Sequence, residues 1–301
     1  VTATFVATST ANCAMDVNVS ITAVTVTSGY TGTLSFNATF SITTSGAFSW
    51  AGTQFTTNNN AVTIGSWSQS AGTATLGSST MTCNGNYTHS AGTFTDQTST
   101  WVVAGSGTYS GAGLPAAGST APGEFNNLTV NADITMTCGT ATKAYSNGIL
   151  TLNGTITTAV ATTMFAVTTT NGIVVGASGT FAGIGQIYLI GTANFNLPAG
   201  SHSVTTMILA SYDVGAVTCT MTGNLTSSGA GDANTGAINL SSNISGSNLI
   251  TLDTNGFNVT CSNAEFVLGL KLVGSYQGLV KFGSGTHSFV GFWAISVGTN
   301  W

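Results

Sequence analysis

The sequence predicts an all-β chain wound as a parallel β-solenoid (β-helix), a stack of coils of roughly 20–24 residues each. Three observations lead to that class. The composition favours strands and turns, apolar and polar residues alternate in short runs, and the chain resembles itself at a short fixed offset that carries Trp67 onto Tyr87.

Composition comes first. The 301 residues include 55 Thr and 39 Gly but only 3 Pro. Thr and Val crowd a helix at χ1 and suit a pleated strand, whereas Gly and Asn take the corners between strands. Only 3 Lys, no Arg and 8 acidic residues are present, so 11 side chains carry formal charge where an average soluble domain of this length carries roughly 75. Three lysines leave almost nothing for neutralising phosphates, which excludes a nucleic-acid partner. No run of about 18 apolar residues occurs, so no membrane-spanning helix is expected. A mean hydropathy of +0.34 with a net charge of −5 is also unlike a disordered chain.

Along the chain, residues 1–64 have the weakest periodicity and are expected to form an N-terminal β cap, a small sandwich or the first coils. Residues 65–114 carry the clearest repeat. Trp67-Ser68-Gln69-Ser70-Ala71-Gly72-Thr73-Ala74-Thr75 aligns with Tyr87-Thr88-His89-Ser90-Ala91-Gly92-Thr93-Phe94-Thr95. Stacked one-turn coils produce a fixed period of this kind, because inward residues must fall over those of the neighbouring coil. Residues 115–124 hold two of the three prolines, Pro115 and Pro122, and read as a loop excursion. From 125 to 301 the solenoid is expected to continue. Ile149-Leu150-Thr151-Leu152-Asn153-Gly154 and Phe266-Val267-Leu268-Gly269-Leu270 alternate and then stop on Gly or Asn, as short strands do.

Ser99-Thr100-Trp101-Val102-Val103-Ala104-Gly105-Ser106-Gly107-Thr108-Tyr109, with Phe125-Asn126-Asn127-Leu128-Thr129-Val130-Asn131 after the loop, resembles the repeats of large secreted microbial β-helix proteins. Gly148-Ile149-Leu150-Thr151 and Phe282-Gly283-Ser284-Gly285-Thr286-His287 look like further units of that class. It includes surface adhesins, extracellular filament and sheath proteins, and viral or phage fibres. The resemblance implies a secreted structural or adhesive role without choosing among them.

Candidate chemistry is sparse. Asp213, Asp232 and Asp253 follow one another at nearly equal intervals, so a coil of about 20 residues would stack them on one edge. Polysaccharide-cleaving enzymes need such converging carboxylates. The competing reading makes Asp232 and Asp253 turn residues at corners. No calcium-loop spacing appears, and neither a metal nor a cofactor is called for.

The five cysteines are Cys13, Cys83, Cys138, Cys219 and Cys261. The last four follow Thr, in Met81-Thr82-Cys83, Met136-Thr137-Cys138, Val217-Thr218-Cys219 and Val259-Thr260-Cys261, which suggests equivalent coil positions. Buried thiols and disulfides, including a bond from Cys13 to a second chain, both remain open. His89, His202 and His287 each sit between Ser or Thr and Ser, and are expected as outward strand residues. No phosphate loop or Gly-x-Ser-x-Gly elbow exists. Asn-x-Ser/Thr sequons at Asn18, Asn37, Asn86, Asn127, Asn153, Asn224, Asn239, Asn243 and Asn258 permit glycans. Thr73-x-Thr75 and Thr93-x-Thr95 lie one coil apart and resemble the flat Thr arrays of some ice-binding solenoids, but the sequence shows the pair on two coils only.

The expected function is that of a secreted structural protein, not an enzyme, which forms or decorates an extracellular filament, sheath, fibre or virion. Its main partner would be itself, as a homo-polymer or end-to-end oligomer, with glycans or a cell surface as further partners. The alternative is a carbohydrate-binding adhesin or a tailspike-like polysaccharide lyase or glycoside hydrolase, acting through Asp213, Asp232 and Asp253. The chain begins at Val1 without Met, as a mature product or a piece of a longer repeat array would.

Overall fold

The computed structural model describes residues 1–37, 39–111, 124–139, 143–158, 164–169, 173–191, 194–197, 200–211, 216–227, 238–240, 249–262, 266–268, 277–289 and 292–294. Every regular element in them is a strand, and every strand pairing is parallel. The chain is a β-solenoid. Each coil of the N-terminal half carries three short strands, one on each of three faces. The first face stacks Thr2–Phe5, Ala23–Val26, Ala47–Trp50, Ser66–Gln69, Tyr87–His89 and Gly107–Ser110. The second stacks Cys13–Met15, Thr33–Phe36, Gln54–Thr56, Thr73–Thr75 and Thr93–Thr95. The third runs from Val19–Ile21 through Ile42–Thr44, Val62–Ile64, Thr80–Cys83, Thr100–Val103, Asn127–Val130 and Leu150–Leu152 to Ile173–Val175.

The coil period is set by register. One column on the first face reads Ala3, Val24, Phe48, Trp67, Tyr87, Tyr109, Cys138 and Thr158, which is seven successive turns. The column advances by about 20 residues per turn, as stacking of one coil over the next requires. Residues 1–64 are thus the first coils, in register with those that follow. The longest step, from Tyr109 to Cys138, contains the proline-bearing segment, of which residues 112–123 lie outside the described residues.

Alternation puts the apolar set inside. Strands of the pattern Ala23-Val24-Thr25-Val26 bury every second side chain. The resulting core is a continuous column rich in rings. Phe48 stacks on Trp67 at 5.3 Å, Tyr87 on Tyr109 at 5.7 Å and Trp101 on Phe125 at 4.9 Å, while Phe55 touches Phe36, Phe48, Trp50 and Trp67. Each aromatic pair adds about 0.5–1.5 kcal/mol beyond its buried area.

Corners are closed by backbone conformations that few residues tolerate. Asn58, Asn59, Gly72, Gly77, Gly92 and Gln97 all have positive φ. Gly72 is also a point of contact between coils, since an added Cβ would fall on the carbonyl oxygen of Gly52 below it. Asparagines reinforce the stack from the corners. Asn12, Asn18, Asn86, Asn127, Asn224 and Asn258 each accept, through Oδ1, the backbone N–H of a residue in the next coil. All of these except Asn12 are sequon asparagines, so residues that would carry glycans already join coils.

Beyond Thr158 the coils widen. Strands Thr180–Gly191 and Gly200–Ser211 are 12 residues long; the former pairs at its start with Thr155–Thr158 and at its end with Met164–Thr169, and the register between the two long strands shifts between Ala182 and Ile184. The asparagine ties show the later turns directly, since Asn224 to Asn258 spans 34 positions and Asn258 to Thr286 spans 28. The expected coil length therefore holds for the narrow N-terminal part, while the C-terminal coils are longer.

Candidate functional site

Of the acidic trio, Asp253 alone lies among the described residues. Asp253 ends the strand Leu249–Asp253, with Thr220 as its register neighbour on one side and Lys281 on the other. Both steps are longer than the intervals within the trio, so those intervals are not the coil period in this region. Asp253 accepts the backbone N–H of Asn255 at 2.9 Å, and Asn255 and Gly256 turn the chain with positive φ. This is an Asx turn. Asp213 and Asp232 lie outside the described residues.

All five cysteines are free thiols. Cys83, Cys138, Cys219 and Cys261 are buried, whereas Cys13 is half-buried. The shared Thr-Cys pattern does not mark one coil position. Cys83 stacks against Ile64 and Val103 on the third face, and Cys138 against Tyr109 and Thr158 on the first. Cys219 pairs with Phe195 and Leu252, and Cys261 with Ser227 and Phe289. The pattern is an inward Cys after an outward Thr, at the end of the strand for Cys83, Cys138 and Cys261 and within the strand Val217–Met221 for Cys219. Burial pushes the thiol of Cys219 up and that of Cys261 up to about 12, so both are poor nucleophiles.

The histidines correct the sequence reading. His89 and His202 point inward and are buried, not outward. The phase was visible in the sequence, because Tyr87 aligns with the inward Trp67 and a period of two then places His89 inside as well. His202 Nδ1 faces the backbone N–H of Phe181 at 3.2 Å. His287 is half-buried at the end of the described stack.

His89 belongs to a buried polar cluster that sequence reasoning missed. Glu124, the first described residue after the proline-bearing segment, returns into the core at 5% exposure. Its Oε1 lies 2.6 Å from His89 Nδ1 and also accepts the Tyr87 hydroxyl. His89 Nε2 sits 3.2 Å from the Gly92 carbonyl. Burial pulls the imidazole pKa down, but the Glu124 carboxylate and the Gly92 carbonyl together more than offset this, so it lies above the ordinary histidine value. Burial also pushes Asp96 up to about 7; nearby backbone N–H groups oppose the shift and the Glu124 charge adds to it. The Tyr87 hydroxyl is held well above its usual value by burial and by Glu124. With Tyr87 at 0%, His89 at 2% and Glu124 at 5% exposure, no reactive atom faces a solute, so the cluster is a structural tie. It pins the returning chain to the coil that carries Tyr87 and His89.

The outer surface has the opposite character. From Val1 to Gly111 the only acids are Asp16 and Asp96, with no Lys, and neither acid lies on a strand. Outward positions are small and mostly hydroxylic. The first face offers Thr4, Thr25, Ser49, Ser68, Thr88 and Ser110 in one column. The third offers Ser20, Thr43, Thr63, Thr82, Val102, Thr129, Thr151 and Val174. The second offers two columns side by side, Thr33, Gln54, Thr73 and Thr93 beside Ser35, Thr56, Thr75 and Thr95.

No group of three or more metal-ligating side chains occurs among the described residues, and no helix there is long and apolar enough to cross a membrane. In comparisons with known proteins, no family model, curated protein or solved structure matches the chain.

Proposed function

We propose that this chain is a secreted structural protein that self-assembles into, or decorates, an extracellular filament, sheath, fibre or virion. The observation that carries the reading is the near absence of charge on strand faces covered with Thr and Ser. Like-charge repulsion is what ordinarily keeps folded proteins apart, and these faces have almost none. Ladders of small hydroxylic side chains can lie against a like ladder without leaving voids. Parallel coils also carry their backbone hydrogen bonds along the stack, so a further coil or copy adds at a strand edge by the same bonds. An extracellular setting suits the composition, since three Lys and no Arg give trypsin-like proteases few sites. Negative-stain electron microscopy of the purified chain tests the proposal. Filaments, sheets or end-to-end oligomers are expected. Monodisperse particles at high protein concentration would contradict it.

A further inference from the structure

The second face carries two adjacent columns of outward residues in register over four coils, Thr33-x-Ser35, Gln54-x-Thr56, Thr73-x-Thr75 and Thr93-x-Thr95, with a hydroxyl at every position except Gln54, whereas the comparable pair of columns on the first face is interrupted by Ala23 and Ala47. The sequence alone shows only the last two pairs, because Ser replaces Thr in the first and Gln replaces it in the second. Strand geometry fixes the lattice at about 4.8 Å between coils and about 6.6 Å between alternate residues along a strand. Thr56 spends its hydroxyl on a neighbour, Asn58 Oδ1 at 3.1 Å. The side-chain hydroxyls of Thr33, Ser35, Thr73, Thr75, Thr93 and Thr95 make no hydrogen bond among the described residues. They keep their full capacity for an outside partner.

The face is also stiff. Directly behind it lie Leu34, Phe36, Phe55 and Ala74, all buried, with Phe55 locked among four other rings. The rank cannot re-space itself to suit a partner, so a matching partner must already be periodic in two directions. It must also be uncharged, and it gains nothing from stacking, since the rings of the strands behind the face point inward. Crystalline polysaccharides are ordinarily gripped by exposed aromatic rings. Solid water offers hydrogen-bonding sites at repeats close to both spacings of this lattice, on the prism planes of its hexagonal form.

We propose that the second face is an ice-binding surface, with a plane of crystalline water as its ligand. Gln54 is the flaw in the rank: it is long, exposed and stands where Thr33 and Thr73 would otherwise continue.

Thermal hysteresis and ice-crystal shaping, measured on the full chain, test the proposal. The parent protein is expected to facet growing ice and to depress its growth temperature. Thr75→Lys, in the centre of the rank, should abolish both effects, whereas Thr63→Lys on the third face should leave them intact. Gln54→Thr should increase the hysteresis by completing the column. This gain cannot arise from misfolding and so decides the matter if Thr75→Lys fails to fold. Absence of hysteresis and shaping in the parent would overturn the proposal, as would equal loss in the Thr75→Lys and Thr63→Lys variants. Sedimentation with microcrystalline cellulose but no effect on ice would assign the face to a polysaccharide and overturn it too. Filament formation is read separately by microscopy, so either proposal can fail alone.

Discussion

Glu124 is the residue on which the interior depends most unusually. A carboxylate at 5% exposure is tolerated because His89 and Tyr87 both meet the same oxygen; removing one partner of a buried charged pair ordinarily costs about 3–5 kcal/mol. The same cluster makes the fold sensitive to pH. Both His89 and Asp96 hold their protons more tightly in the folded chain than in the unfolded one. Stability therefore falls as pH rises. The Asp96 contribution is lost between its ordinary value of 3.8 and about 7. That of His89 is fully present below 6.5 and is lost through its raised folded value. The melting temperature should be lower at pH 8 than near pH 5, and Asp96→Asn should flatten the fall below pH 7 while leaving the upper part. A curve that rises with pH over this interval would contradict the account. The inward phase of His89 was legible in the sequence but its partnership with Glu124 was not, because the Tyr87 and Glu124 partners are 37 residues apart across a segment that breaks the repeat.

At the scale of strands and corners, much more could be read in advance. Alternation of period two is a local property, so Trp67-Ser68-Gln69 and Thr100-Trp101-Val102-Val103 declare their inward residues without knowledge of the fold. The Ser-Ala-Gly-Thr corner was visible at Gly72 and Gly92. The structure adds Ala51-Gly52-Thr53 below them, hidden because the surrounding side chains differ. The reason for the glycine is steric and lies between coils, so no single copy reveals it. Gly72→Ala should cost about 2 kcal/mol or more, from its positive φ and the Gly52 carbonyl in its path. Thr88→Ala, outward on the neighbouring strand, should stay within about 0.5 kcal/mol. Urea denaturation distinguishes them, and equal midpoints would refute the corner argument. The wide C-terminal coils escaped the sequence reading because it assumed one period. Strands such as Thr180–Gly191, which run through a corner, have no fixed length to repeat.

For the whole molecule, the scarcity of charge leaves three strand faces covered with small, mostly hydroxylic side chains and almost no like-charge repulsion. Rigidity comes from the ring-filled core and the asparagine ties, and it makes each face a fixed lattice. On the proposed function, these uncharged faces drive association between copies. Sedimentation velocity against protein concentration, for the parent and for a Thr43→Lys/Thr63→Lys/Thr82→Lys variant, tests it most directly. These three residues follow one another outward on the third face, so the variant adds a row of like charges without touching the core. The parent should shift to large species as concentration rises, while the variant remains a monomer with an unchanged circular dichroism spectrum. Identical sedimentation of the two proteins, whether both associate or neither does, would contradict the claim.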